Sequence, residues 1–293
     1  MSVVGASIAG LFAARAMAQQ GLQVKVWEAL SGLESGARTL IVTPTWLKML
    51  DFSAEPAILN RVHAYELISQ RESVRVPLRE PDLVLERTRF LDLLSSELLA
   101  AGGELIFHRR LAAVDRNGHR CRLEFRNGDA GERHEASYVL GADGVRSAVG
   151  RAVGRGPLSS VAILQARVPL PVNFPEHTAR VWFDRASTRF FYWLIPESSR
   201  EGVAGLIAES RCGAEKALDG FLGAHGLTAL EYQAADVPVQ RVGARRRCEG
   251  RNGRVLLTGD AAGHVKVTTV GGVVTGMRGG WAAARALTTG TSY

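Results

Sequence analysis

The chain has 293 residues, is 46% hydrophobic and 22% charged, and so has the composition of an ordinary folded globular protein long enough for roughly two domains. No window approaches the roughly 18 uninterrupted apolar residues of a spanning helix, and the N-terminus lacks the basic flank and cleavage pattern of a secretory signal; the expected address is the cytoplasm, with no integral membrane segment. The net charge of +7 is arginine-borne, with only four lysines among 36 basic residues, and the one dense cluster, Arg245-Arg246-Arg247, is short and flanked by Glu249, so no nucleic-acid partner is expected.

Met1 to Val4 is a very short β-run, and Ile8 to Gln20 reads as a helix ended by Gly21, with Ile8, Leu11, Phe12 and Arg15 at helical spacing. Val24 to Glu28 then reads as a second strand, which closes a βαβ unit. A second helix is expected over Arg87 to Ala101, where Phe90, Leu91, Leu94, Leu98 and Leu99 recur before Gly102-Gly103. The alternating segments Glu104 to His108, Leu111 to Val114, Arg120 to Arg126 and His134 to Leu140 follow as a β-meander, with Asn117-Gly118 and Asn127-Gly128 as turns. From Val161 to Leu206 the pattern is strand-like and holds Trp182, Phe183, Phe190, Phe191, Tyr192 and Trp193, which marks a second domain. Arg254 to Thr258 is an apolar strand entering Gly259-Asp260-Ala261-Ala262-Gly263, and a small-residue helix runs through Leu287. Cys121, Cys212 and Cys248 are odd in number and lack CxxC spacing, which suggests neither a disulfide framework nor a metal site.

Gly5, Ser7 and Gly10 occupy the three glycine positions of the dinucleotide fingerprint, in the Gly5-Ala6-Ser7-Ile8-Ala9-Gly10 turn where backbone amides must approach a pyrophosphate at a helix N-terminus. Glu28, at the end of the second strand, is placed to accept hydrogen bonds from the ribose hydroxyls of an adenosine, and its charge would repel a 2′-phosphate. Asp260 can accept bonds from sugar-like hydroxyls or serve as an ordinary helix cap. Asp143 reads equally as a turn residue of Asp143-Gly144.

Taken in order, Gly5 to Gly10, Leu140-Gly141-Ala142-Asp143-Gly144-Val145-Arg146 and Leu257-Thr258-Gly259-Asp260-Ala261-Ala262 resemble the motifs of the FAD-dependent hydroxylase and reductase superfamily typified by p-hydroxybenzoate hydroxylase and geranylgeranyl reductase. The resemblance spans almost the whole chain. It implies an α/β fold, with a Rossmann-like FAD-binding domain of three layers (parallel sheet plus β-meander) at 1–70, 86–155 and 246–293, and an inserted, mainly antiparallel β substrate domain at 71–85 and 156–245. It further implies Asp143-Gly144 beside the cofactor phosphates, Asp260 on the ribityl hydroxyls and Arg87 near the flavin side chain. The run Gly263 to Arg278, with Thr268-Thr269 and the paired Gly271-Gly272, is similar to the geranylgeranyl reductase form, whereas the aromatic hydroxylases carry His-Pro after Ala-Ala. Phe191-Tyr192-Trp193-Leu194-Ile195-Pro196 resembles the reductases' aromatic-x-Trp-x-aromatic-Pro strand, which lines the substrate cavity, with Ile195 replacing an aromatic.

Trp193 reads equally as a core tryptophan, and His264 either as a proton donor near the flavin or as a surface histidine. The loop Gly36 to Pro44 lacks the cysteine that family reductases often carry. Tyr293 follows soon after the last helix, where relatives usually continue, so an open cavity or a shortened chain is expected. The expected activity is reduction of a carbon–carbon double bond in an apolar small molecule by reduced flavin, with NAD(P)H as a transient donor. Flavin-dependent hydroxylation and a non-catalytic flavin-binding protein are the alternatives, and the sequence carries no signal of oligomeric state.

Overall fold

A computed structural model of the chain describes residues 1–33, 38–70, 72–117, 119–127, 130–239, 254–291 and 293. The Arg245-Arg246-Arg247 cluster, Cys248, Glu249, Gly36, Ala37, Gly118 and Gly128 lie outside the described residues. In chain order the elements begin with β1 Ser2–Val4, α1 Ile8–Gln19, β2 Lys25–Trp27, β3 Thr39–Val42, β4 Ile58–Ile68, β5 Ser73–Glu86, α2 Arg87–Ala100 and β6 Glu104–Ile106. There follow β7 Arg110–Asn117, β8 Arg120–Asn127, β9 Ala130–Ala136, β10 Val139–Gly141, α3 Ala148–Ala152 and β11 Ser160–Pro169. The chain continues through β12 Thr178–Trp182, β13 Tyr192–Pro196, β14 Glu201–Ala208, α4 Arg211–Ala224, β15 Glu231–Pro238, β16 Val255–Leu257 and α5 Val273–Thr289. Chain contacts divide it into two compact units, Met1–Ser35 with Leu91–Ser159 and Pro238–Tyr293, and Gly36–Phe90 with Ser160–Val237.

The first unit is built on a five-stranded sheet in the order β16-β10-β1-β2-β6, with every pair parallel. Strands of three residues suffice for β1, β10 and β16 because these are buried on both faces, as Ser2, Val3 and Val4 are, whereas the edge strand β6 is partly exposed. The helices α1 and α5 pack together through glycines: a Cβ on Gly280 would lie 2.7 Å from the Ala9 carbonyl oxygen, and one on Gly276 would lie 3.3 Å from the Ala9 methyl. Against the sheet sits the antiparallel ribbon β7-β8-β9, whose Leu123 and Phe125 share a core with Val4, Trp27, Val139, Val255 and Leu257. Trp27 stacks on Phe125 at 4.5 Å, so the expected meander forms the third layer of this unit.

The meander is smaller than the sequence pattern suggests. Glu104–Ile106 is not part of it but pairs in parallel with β2, and His134 to Leu140 splits between the end of β9 and β10. Alternation within so few residues does not distinguish a ribbon strand from a buried parallel one. Likewise Leu99 is 54% exposed, because Leu91, Leu94 and Leu98 already complete the buried stripe of α2.

The second unit is an eight-stranded sheet ordered β15-β11-β14-β13-β12-β4-β5-β3, in which β12 and β4 pair in parallel and the run β11-β14-β13-β12 and the run β4-β5-β3 are antiparallel. One face packs against α4, where Leu164, Tyr192, Leu194, Leu206, Leu218 and Phe221 form a core. Residues 39–68, expected with the dinucleotide-binding part, contribute β3 and β4 to this sheet because both pair with β5. No helix of the described residues is long and apolar enough to cross a membrane.

Candidate functional site

In the first unit the chain leaves β1 toward β2 on one side and later returns as β10 on the other, so the strand order reverses between β1 and β10, the position at which an open parallel sheet forms a crevice at the carboxyl ends of its strands. Open parallel sheets bind ligands at such a switch point. Gly5 leads into it with φ +98°, and a Cβ there would lie 2.6 Å from the Ala142 carbonyl oxygen. Gly10 is equally constrained, since its Cβ would run into the Gly5 carbonyl and the Ala142 methyl. Only glycine allows the β1 turn, the β10 turn and α1 to meet.

Ser7 caps α1, its hydroxyl accepting from the Gly10 amide at 3.2 Å, while the Ser7 carbonyl takes the Leu11 amide. As in any helix, the first-turn amides of Ile8 and Ala9 have no intrahelical partner, and the positive end of the helix dipole adds to them. Glu28, at the end of β2, holds this turn directly: its carboxylate accepts the Ala6 amide at 2.8 Å and the Leu30 amide at 2.9 Å.

Asp143 follows β10 and caps α3. Its carboxylate accepts the Ser147 hydroxyl and the amides of Ala148 at 2.7 Å and Val149 at 3.1 Å. Burial pushes its pKa up, and these bonds oppose the shift. Gly144 adopts φ +78°, with nothing within 4 Å of the position its Cβ would take.

After β16, Gly259 turns with φ +59°, and a Cβ there would lie 3.0 Å from the Ala9 methyl. Gly272 stands opposite Asp260, where a Cβ would lie 3.0 Å from Oδ1. The Lys266 amide donates to the Gly271 carbonyl at 3.1 Å and closes this loop. Val270, just before the glycine pair, is buried with φ +47°, an uncommon conformation for a β-branched residue and one the surrounding fold must impose. No side-chain pattern in the sequence signals such backbone strain.

His264 lies between the two expected alternatives. Its ring packs on Gly279 of α5, where a Cβ would overlap it, and Nδ1 is buried without a hydrogen-bond partner among the described residues. Burial lowers its pKa. It is therefore a half-buried histidine whose surroundings disfavour the charged form.

The structure thus gathers Gly5, Ser7, Ile8, Ala9, Gly10, Glu28, Asp143, Gly144, Gly259, Asp260, Gly271 and Gly272 in the first unit. Arg87, Phe191 and Trp193 belong to the second. The Arg87 amide donates to the Arg38 carbonyl at 3.1 Å at the start of α2, where Glu86 accepts the amides of Thr88 and Arg89. Trp193 packs against Gly205, whose Cβ would come 2.6 Å from the indole, with Phe191 edge-on at 6.1 Å. The buried indole N–H has no acceptor among the described residues.

With this geometry in place, residues 1–289 match the family described as FAD binding domain. The chain belongs to that family. Digeranylgeranylglycerophospholipid reductase 2 of Methanothermobacter thermautotrophicus is 26% identical over 92% of this chain and 73% of its own length. The 6-hydroxynicotinate 3-monooxygenase of Bordetella bronchiseptica is 28% identical over 50% of this chain and 41% of its own. Among solved structures, a geranylgeranyl bacteriochlorophyll reductase-like protein from Thermoplasma acidophilum superposes with a TM-score of 0.86 at 20% identity, covering 98% of this chain and 77% of that one. The family and its reductase and monooxygenase relatives make this chain an FAD-dependent oxidoreductase.

Proposed function

We propose that the chain uses FAD to reduce a carbon–carbon double bond in an apolar small molecule, with NAD(P)H or an electron-transfer protein as the electron source. The observation that carries this choice is the extent of the likeness: the reductase aligns with 92% of the chain and the monooxygenase with 50%. Bound FAD supplies the two-electron chemistry, and the protein supplies position, dryness and a proton.

The residues fit such a cofactor. Ser7, Ile8 and Ala9 offer backbone amides to a pyrophosphate at the α1 N-terminus, while Gly5 and Gly10, whose own amides are taken by the Trp27 carbonyl and the Ser7 hydroxyl, let the turn close where side chains would collide with Ala142. Glu28 serves both the turn and a ribose, since a carboxylate accepts more bonds than the two it receives from backbone. Asp143 acts as a positioning residue: its carboxylate is committed to α3, which fixes Gly144 and the crevice wall, and direct contact with phosphates would oppose like charges. Asp260 accepts from ribityl hydroxyls, with Gly271 and Gly272 keeping the adjoining loop free of side chains. Arg87 serves the flavin side chain, and Phe191 and Trp193 line the substrate cavity. His264 can give up a proton only after taking one up, which burial disfavours at neutral pH.

Turnover without oxygen tests the reaction. The reduced protein, given digeranylgeranylglycerophospholipid anaerobically, is expected to add two hydrogens to the chain. A product that requires oxygen and gains one oxygen atom instead would overturn the reductase reading in favour of hydroxylation.

A further inference from the structure

The second unit holds a cavity on the sheet face turned away from Trp193. Strand register establishes this: Trp182 pairs with Tyr192 and Tyr192 with Leu206, whereas Trp193 pairs with Val181 and Gly205. Side chains alternate between faces along a strand, so Trp182 and Tyr192 project toward α4 and Trp193 away from it. Beside α4 the cavity measures about 540 Å³, within the range of roughly 300–1,000 Å³ usual for small-molecule sites.

Its wall is aromatic. Tyr192 stacks on Phe221 at 4.7 Å with 11° between planes, and Trp182 meets Phe221 and His225 edge-on, each at 5.1 Å. Glycine keeps the opposite side clear: Gly220 of α4 lines the cavity, and a Cβ there would meet nothing within 4 Å.

The polar groups are asymmetric. Asp184 is satisfied within its own turn, accepting the Ala186 amide at 3.0 Å and the Ser187 hydroxyl at 2.6 Å. The Tyr192 hydroxyl bonds Ser187, and burial with the nearby Asp184 charge keeps it protonated. Lys216, which also lines the cavity, has no carboxylate at ion-pair distance among the described residues. The cavity therefore pairs a stacking surface with one cation, Lys216, and one carboxylate, Asp184, whose oxygens are already engaged by their own turn.

We infer that this cavity binds a planar aromatic carboxylate, its ring against Trp182, Phe221 and His225 and its carboxylate on Lys216. Such a site is separate from the sheet face that carries Trp193, so it does not depend on which reaction the flavin performs. An aromatic acid is favoured over a neutral arene because a charged hydrogen bond adds to the stacking.

Isothermal titration of the flavin-loaded full chain with 2-naphthoate tests this, with 2-naphthol as the uncharged control. Naphthoate is expected to bind at one site about tenfold more tightly than naphthol, the margin a single charge-assisted hydrogen bond supplies. Lys216→Gln should erase that margin, and Gly220→Trp should abolish binding of both while leaving flavin absorbance unchanged. Naphthoate binding that survives Gly220→Trp, or shows no preference over naphthol, overturns the inference. Should Gly220→Trp fail to fold, the Lys216→Gln comparison decides it alone.

Discussion

The two units build their candidate sites from different material. In the first, the crevice between β1 and β10 is made of backbone: Gly5, Gly10 and Gly259 let three chain segments approach more closely than any Cβ would permit. In the second, the surface around Trp193 is made of side chains, with Gly205 packed against the indole and Gln165 bonded to Gln233 at 2.7 Å beside it. A backbone-built site tolerates almost no substitution, because every side chain added enters space already taken. A site built of side chains can change what it accepts while the sheet beneath it stays intact. The lesson is that cofactor retention and substrate choice should separate by mutation.

The largest expected effect breaks the first site. Gly5→Val or Gly10→Val should remove flavin from the purified protein and cost about 2–4 kcal/mol of stability, as overpacked backbone contacts do. Visible absorbance after desalting and a denaturant titration measure the two consequences, and a variant that kept its flavin would reduce the turn to a structural role. Next in size, Gly280→Leu drives a side chain at the Ala9 carbonyl and should cost about 2–3 kcal/mol by separating α1 from α5. Its thermal midpoint should fall before its flavin is lost.

Gly205→Ala sharpens the contrast. The added methyl meets the Trp193 indole at 2.6 Å, so turnover and KM should change while flavin absorbance stays at the parent value, with about 1 kcal/mol of stability lost. Equal loss of flavin in this variant would contradict the separation of the two sites.

The smallest effect is a pH dependence. Burial lowers the His264 pKa in the folded state, so the unfolded chain binds that proton more readily. Stability from this residue is complete above the ordinary histidine pKa of about 6.5 and declines as pH falls below it. Replacing His264 with Gln should flatten the fall in thermal midpoint over the acid range, and an unaltered slope would show that other groups govern it.

Much of the first site was legible in the sequence because its signals are local. The Gly5 to Gly10 turn, the strand ending at Glu28 and the Gly259-Asp260 turn each announce themselves by small residues at fixed spacing. Their meeting was not legible from spacing alone, since it depends on β10 and β16 entering the sheet beside β1 from distant parts of the chain. The β4 and β5 hairpin escaped detection because much of β5 is exposed and it carries Pro77 and Pro81, which argue against a strand. Helix α4 was hidden by Gly213, Gly220 and Gly223, which weaken helical propensity although Ala214, Leu218, Phe221 and Leu222 form a buried stripe. The inward commitment of Asp143 was invisible for a similar reason: an Asp-Gly pair gives no sign of which amides the carboxylate will take.

The visible absorbance spectrum of the folded, desalted protein tests the central claim most directly. The expected result is the two-band spectrum of a bound flavin, released as FAD on denaturation. A colourless protein that is nonetheless folded by circular dichroism, and that takes up no FAD when it is added back, would contradict the assignment of the β1 and β10 crevice to this cofactor.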